Sequence, residues 1–266
     1  MTYPFLDPDR VTGLYATTGR LARRSTALLA AKIAGSNPND VLVEAAARHA
    51  PVNPRILEVG CGRGSTLARL ASALDPAEVV ALDTSPAMLA AAANRVERPT
   101  PVTTIVGDFH HLPFGRRRFD VVVAAFCLYH SKDPQNVCQE LARCLVPGGI
   151  ALLATKSDDS YRELDELVRE SGLDADAMRA RSLYATFHSG NIERVAGVAV
   201  AVVEANHDDN RFHFATPEHA AAYVATSPKY AGCGEPPTVA AALRRVWPDG
   251  GLIATSTVSI VMGRKR

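Results

Sequence analysis

Glu58, Gly60, Gly62 and Gly64 stand at alternate positions in the run Arg-Ile-Leu-Glu-Val-Gly-Cys-Gly-Arg-Gly, residues 55–64. An acid ahead of closely spaced glycines suits a loop that holds a polar ligand against bare backbone. Glycine accepts positive φ and puts no Cβ between chain and ligand. The helical pattern that starts at Ser65 offers unpaired N–H groups and partial positive charge to an anionic group. A second acid, Asp83, closes the run Ala81-Leu82-Asp83, about twenty residues further on, where a carboxylate can accept both hydroxyls of a ribose. The chemistry these residues describe is the binding of a nucleoside. The competing reading of the glycines alone is a structural turn without a ligand.

Positioning these groups requires a strand, a tight turn, a helix and a second strand. Ile56, Leu57 and Val59 form the apolar strand, and Ser65–Leu74 carries the helical pattern. Glu78–Asp83 is the second strand, and Ser85-Pro86 opens the next helix with a capping residue and a proline at its first position. This is one nucleoside-binding half of an open parallel sheet. The spacing departs from the dinucleotide fingerprint Gly-x-Gly-x-x-Gly, because Ser65 occupies the place of its last glycine. That departure counts against a dehydrogenase.

Further on, Val102–Val106 forms a third strand ending in Gly107-Asp108-Phe109. Phe119 to Phe126 is a near-continuous apolar run after one acid, as expected for a central parallel strand buried on both faces. It ends in Cys127-Leu128-Tyr129-His130, beside the crevice where parallel sheets bind ligands. Asp133-Pro134 starts a helix over 135–145, and Pro147-Gly148-Gly149 turns into a fifth strand, Ile150–Ala154.

The Glu58-x-Gly60-x-Gly62-x-Gly64 motif, Asp83, Gly107-Asp108, Phe119-Asp120 and Leu-Val-Pro-Gly-Gly-Ile-Ala-Leu-Leu, taken in order, resemble the motifs of class I S-adenosylmethionine (SAM)-dependent methyltransferases. The resemblance covers roughly residues 55 to 155. It implies an α/β fold with a seven-stranded, mostly parallel Rossmann-like sheet in the order 3-2-1-4-5-7-6, the last strand antiparallel. Helices flank the sheet, a helical cap precedes it, and further helices are inserted between strands six and seven. The expected organisation is a single domain over 1–266: cap 1–50, SAM-binding core 51–156, and a C-terminal half 157–266 that completes the sheet and the acceptor pocket.

The resemblance also implies a cofactor, SAM, released as S-adenosylhomocysteine. Glu58, Gly60, Cys61, Gly62 and Gly64 are expected to hold its methionine end. Asp83 and Thr84 would hold the ribose, Met88 would lie near ribose or adenine, and Asp108 with Phe109 would meet the adenine. Phe126, at the end of the fourth strand, completes the set. Tyr3, Tyr15, Arg20 and Tyr129 are candidates for the acceptor pocket, with ordinary packing as the competing reading. His130 is the best-placed base for an acceptor that must lose a proton, since histidine titrates near neutrality. A structural hydrogen-bonding role is its alternative. His110 and His111 read as a solvated pair, and no metal-ligand spacing is present, so no metal is expected. Tyr223, Tyr230 and Trp247 are candidates for a pocket wall, with packing preferred.

The expected reaction is methyl transfer to nitrogen or oxygen of a small molecule by in-line displacement. Alternatives are a peptide or protein terminus, a quinone-like ring carbon, and a catalytically silent nucleoside-binding module. Ala-Phe-Cys-Leu-Tyr-His after the fourth strand counts against adenine-N6 transfer.

Composition agrees with that expectation. The chain has 266 residues, 47% of them hydrophobic, with 29 basic and 28 acidic side chains and net charge +1. No global field favours nucleic acid or an anionic membrane. Five cysteines without a C-x-x-C pair suggest a reduced, cytoplasmic chain, and the N-terminus lacks a signal-peptide pattern. No apolar run approaches the ~20 residues that span a bilayer. A monomer or homodimer is expected.

The remaining elements are read from local pattern. Residues 12–34 read as mostly helix. Asp40 is placed to cap a helix over Val41–His49. Tyr161–Ser171 and Asp174–Arg181 read as helices. Val198–Val203 and 211–214 read as separate strands about a polar turn, Asn206–Asn210. Helices follow Thr216-Pro217 and cover Thr238–Val246, and Leu252–Met262 is the final strand.

Overall fold

The computed structural model describes residues 5–97 and 101–266. Its elements in chain order are α1 (Pro8–Tyr15), α2 (Thr18–Ala31), β1 (Lys32–Ala34), α3 (Pro38–His49), β2 (Arg55–Val59), α4 (Ser65–Leu74), β3 (Glu78–Asp83), α5 (Pro86–Arg95), β4 (Val102–Val106) and β5 (Phe119–Ala125). There follow α6 (Pro134–Cys144), β6 (Leu145–Lys156), α7 (Arg162–Glu170), α8 (Ile192–Ala196), β7 (Ala201–Phe214), α9 (Pro217–Val224), α10 (Pro236–Val246) and β8 (Leu252–Arg264).

The sheet has eight strands in the order β1-β7-β8-β6-β5-β2-β3-β4. Seven of these reproduce the expected order; the correction is the added edge strand β1, which pairs antiparallel with β7 through Lys32↔Phe212 and Ala34↔Arg211. β2, β3, β4, β5 and β6 are parallel neighbours, and β8 runs antiparallel to β6. Strand order reverses between β2 and β5, which is where an open α/β sheet leaves its binding crevice.

The chain divides into two compact units. The larger contains Ser36–Lys156, Thr186–His207 and Val258–Arg266; the smaller contains the chain up to Gly35, Ser157–Ala185 and Asp208–Thr257. Central β5 lies in the core of the larger unit. Val121, Val122, Val123 and Ala124 all have zero exposure, so both faces of the strand are covered. Ile56, Leu70, Ile150 and Leu152 pack with Val121 and Val123. Arg55 locks the starts of β2 and β5 together: Nε donates to Asp120 Oδ2 at 2.9 Å and Nη2 to Oδ1 at 3.1 Å. The guanidinium holds the Asp120 carboxyl below its usual range.

Several local expectations are corrected. The helix expected over 12–34 breaks at Ala16-Thr17 and gives way to β1 at Lys32. Asn37, not Asp40, caps α3, accepting from Asn39 N at 3.0 Å with Pro38 opening the helix. Residues 174–181 form turns instead of a helix; within them Asp174 Oδ1 accepts from Asp176 N at 2.9 Å. β6 begins at Leu145, and the glycine pair forms an irregularity within it, between Phe119↔Leu145 and Val121↔Ile150. β7 runs unbroken through Asn206–Asn210. Its polar residues are satisfied by β8: His207 Nδ1 lies 2.7 Å from Ser259 Oγ, and Asp209 Oδ1 accepts from Thr257 Oγ1 at 2.7 Å. Cross-strand partners stabilise a strand whose own composition reads as a turn.

Candidate functional site

The parallel strands of the larger unit deliver four acids or glycine turns to their carboxyl ends. β2 ends in Glu58-Val59 and passes into Gly60, Gly62 and Gly64, with φ of 59°, 51° and 71°. These left-handed values favour glycine. Packing adds a second requirement. A Cβ on Gly60 would meet Cys127 Cβ at 2.6 Å, and one on Gly64 would meet Ala92 Cα at 2.7 Å. The loop is therefore pressed against α5 and the end of β5, and part of the glycine requirement belongs to the fold rather than to a ligand.

Glu58 is the most informative side chain in the site. It is 2% exposed, and Oε2 is the buried side-chain polar atom without a hydrogen-bond partner among the described residues. Burial pushes its carboxyl up to about 8, against the pull of the Leu67 N–H and the Thr66 hydroxyl at the start of α4. An unsatisfied buried acceptor costs about 1–3 kcal/mol, more when charged. A fold that retains one beside a glycine loop has a place ready for a donor.

Asp83 is differently placed. Its Oδ2 accepts from Gly62 N and its Oδ1 from Ser85 N, each at 2.9 Å. The carboxylate pins the glycine loop to the end of β3 and starts α5, where Ser85 Oγ accepts from Met88 N at 3.3 Å. Each oxygen retains a lone pair for a ligand hydroxyl. Burial raises its pKa, opposed by those N–H groups. Thr84 beside it is exposed, Cys61 is buried, and Met88 is buried in the first turn of α5.

Asp108 follows β4 and is exposed. Its Oδ1 accepts from His110 N at 2.9 Å and lies 2.6 Å from His110 Nδ1; the far nitrogen, Nε2, lies 2.8 Å from Ser131 Oγ. Ser131 Oγ in turn accepts from Asp133 N at 2.9 Å, at the cap of α6. His110, expected in a solvated pair, is thus a strut between the Asp108 turn and the segment after β5. No spacing rule finds it, because the partners are twenty-one residues apart. Phe109 is half-buried, its ring 4.8 Å from that of His110.

Phe126 closes β5 with φ 58°, a strained value for an aromatic residue, while its N–H donates to Ala154 O at 2.9 Å. Leu128–His130 is a single 3-10 turn. Tyr129 is 6% exposed and its carbonyl accepts from Thr186 Oγ1 at 3.1 Å. The His130 ring is 4.9 Å from the Tyr129 ring. Tyr15 and Arg20 belong to the smaller unit, and Tyr3 lies outside the described residues. Tyr223 and Tyr230 are buried in the core of that unit, and Trp247 packs against it.

Residues 57–153 match the family described as "Methyltransferase domain". The chain carries a methyltransferase domain. It is 32% identical over 145 residues to the malonyl-[acyl-carrier protein] O-methyltransferase of Dechloromonas aromatica (strain RCB), covering 54% of this chain and 50% of that protein. It is 36% identical over 99 residues to the chloroplastic 2-methyl-6-phytyl-1,4-hydroquinone methyltransferase 2 of Oryza sativa subsp. japonica, 37% of this chain and 28% of that one. The chain thus spans half or less of the length of these curated relatives. A solved structure from Bacillus halodurans C-125 superposes with a TM-score of 0.60 at 19% identity, covering 86% of this chain and 99% of that one. The fold is the class I methyltransferase fold. Members of this family use SAM as methyl donor. Among the described residues no helix is long and apolar enough to cross a membrane, and no cluster of metal-ligating side chains occurs.

Proposed function

We propose that the chain is a SAM-dependent methyltransferase acting on oxygen or nitrogen of a small-molecule acceptor. The observation that supports this reading most is Glu58: a buried carboxylate with one free oxygen, at the mouth of a left-handed glycine loop, at the carboxyl end of a parallel strand. A donor-bearing ligand end satisfies that oxygen, and the ammonium of a methionine tail is such a donor. Asp83 offers its remaining lone pairs to ribose hydroxyls, and Asp108, steadied by His110, accepts from the adenine amino group.

SAM supplies an electrophilic methyl on a sulfonium, so transfer needs no protein nucleophile. The chain's task is to bind, to orient the acceptor lone pair and to exclude water. His130, after β5, takes the proton of a hydroxyl or ammonium acceptor. An oxygen acceptor is favoured by the likeness to an O-methyltransferase, and the likeness to a hydroquinone enzyme keeps a ring carbon as the second reading.

Calorimetric titration with SAM, S-adenosylhomocysteine and NAD tests the proposal. Micromolar binding of the first two and none of NAD is expected, followed by methyl acceptance in a screen of carboxylates, phenols, hydroquinones and amines. Failure of both adenosyl ligands to bind, with candidate acceptors present, contradicts it.

A further inference from the structure

Glu58 is buried with no cation to meet it. The groups that act on its carboxyl are the Leu67 N–H, Asp83 on β3 and the Thr66 hydroxyl in the first turn of α4. The Cys61 and Cys127 thiols feel its charge in turn, and burial pushes both of them up. None of these neighbours is a lysine, an arginine or a histidine.

Thr66 is itself buried, 6% exposed, and its hydroxyl has a second partner. Thr66 Oγ1 donates to Asn39 Oδ1 at 2.9 Å. Asn39 lies in the first turn of α3, where its N–H donates to Asn37 Oδ1 at 3.0 Å. A second tie joins Asp40, the next residue of α3, to Arg69 of α4. The start of α3 is thus fastened over the start of α4, and Asn39 is held against the hydroxyl that serves Glu58.

A hydroxyl has one proton to give. While Thr66 gives it to Asn39, Oγ1 meets Glu58 only as an acceptor, and the hydrogen between them comes from the carboxyl. A proton-bearing Glu58 matches that arrangement. An ionised Glu58 only accepts, so Thr66 has to donate to it, and Asn39 keeps its bond to Oγ1 by turning its NH2 group inward. An asparagine side chain carries an acceptor and a donor side by side, so it serves both arrangements.

We infer that Asn39 and Thr66 are positioning residues for Glu58: a two-position relay that stabilises the proton-bearing acid in the ligand-free chain and reverses when a donor-bearing ligand takes the free oxygen. The Glu58 proton then leaves to solvent. The relay carries the state of the glycine loop to the start of α3. It rests on the methyl-transfer reading only for the identity of that ligand.

The test follows the full chain by NMR, with glutamate carboxyl carbons labelled with 13C and asparagine side chains with 15N, as pH is raised through about 8. Glu58→Gln assigns the Glu58 signal. In the unsubstituted protein the Asn39 side-chain amide should titrate with the same midpoint as the Glu58 carboxyl, and its response should vanish in Glu58→Gln. Asn39→Ala removes the competing acceptor and should lower the Glu58 midpoint by about 0.5–1 pH unit. That shift should persist in the Thr66→Ser background and disappear in Thr66→Val. An Asn39 amide that stays still while Glu58 titrates overturns the inference even if the variants fail to fold, and so does an Asn39→Ala shift that is the same with and without the Thr66 hydroxyl. S-adenosylhomocysteine added at neutral pH should drive the Asn39 amide to its high-pH position. An amide that follows pH but ignores this ligand supports the relay and counts against the cofactor reading, so the two failures are distinct.

Discussion

Two buried carboxylates, one in each unit, carry opposite lessons. Asp165 in α7 is 7% exposed and fully engaged: Lys229 Nζ reaches Oδ2 at 2.6 Å, and the Tyr230 hydroxyl donates to Oδ1 at 2.5 Å. Glu58 is 2% exposed and keeps an oxygen with no partner. Burial raises the pKa of both. At Asp165 the chain supplies the compensating cation and phenol, so the acid belongs to the fold. At Glu58 it supplies only part of the compensation, and in the proposed reading the remainder comes from the ligand. Completeness of the hydrogen-bond set, rather than burial or pKa, separates a structural acid from a binding one.

The largest expected effect sharpens the structural side. Asp165→Asn leaves Lys229, 13% exposed at its side chain, without its counter-charge. Breaking such a pair costs about 3–5 kcal/mol, read as a shift of the denaturation midpoint. Affinity of the folded variant for S-adenosylhomocysteine should not change.

Next comes the pH dependence of the ligand-free protein. The Glu58 carboxyl rises from 4.5 to about 8 on folding. Between those values the folded chain keeps a proton that the unfolded chain has released. Its contribution is therefore fully present below pH 4.5 and is lost as pH rises through about 8. The slope reaches at most about 1.4 kcal/mol per pH unit. Glu58→Gln should remove this slope, while Asp165→Asn should leave it in place. A slope unchanged by Glu58→Gln would place the titrating group elsewhere.

A smaller effect separates the glycines. Gly64→Ala puts a Cβ 2.7 Å from Ala92 at a φ of 71° and should cost about 1–3 kcal/mol. Gly115→Ala, with nothing within 4 Å, should fall within about 0.5 kcal/mol of wild type. Equal melting temperatures for the two would remove the packing account of the loop. Smallest is His110→Ala, which frees Asp108 and should weaken S-adenosylhomocysteine binding by about 0.5–1.5 kcal/mol. Rescue by His110→Asn would identify the hydrogen bond as the cause.

The two units also differed in how much of them was readable from sequence. α4, β3 and β4 fall at their expected residues, because an apolar run, a glycine turn or a capping serine fixes each one locally. The carboxyl-end acids Glu58, Asp83 and Asp108 were legible for the same reason. What escaped depends on distant partners. β7 passes through Asn206–Asn210 because Ser259 and Thr257 satisfy it, and His110 finds Ser131 across the sheet's carboxyl edge. In the smaller unit Arg20 is held by Thr226 and Ser227, more than two hundred residues away, and no local pattern announces that pairing.

The most direct test of the central claim is whether ligand binding takes the proton from Glu58. S-adenosylhomocysteine would be titrated at pH 7 into the wild type and Glu58→Gln, in phosphate and in Tris, buffers with different heats of ionisation. The account predicts binding to the wild type with a buffer-dependent enthalpy that reports proton release, and weaker, buffer-independent binding to the variant. Equal affinity and equal buffer dependence in the two proteins would contradict it, and the free oxygen of Glu58 would then have no part in holding the ligand.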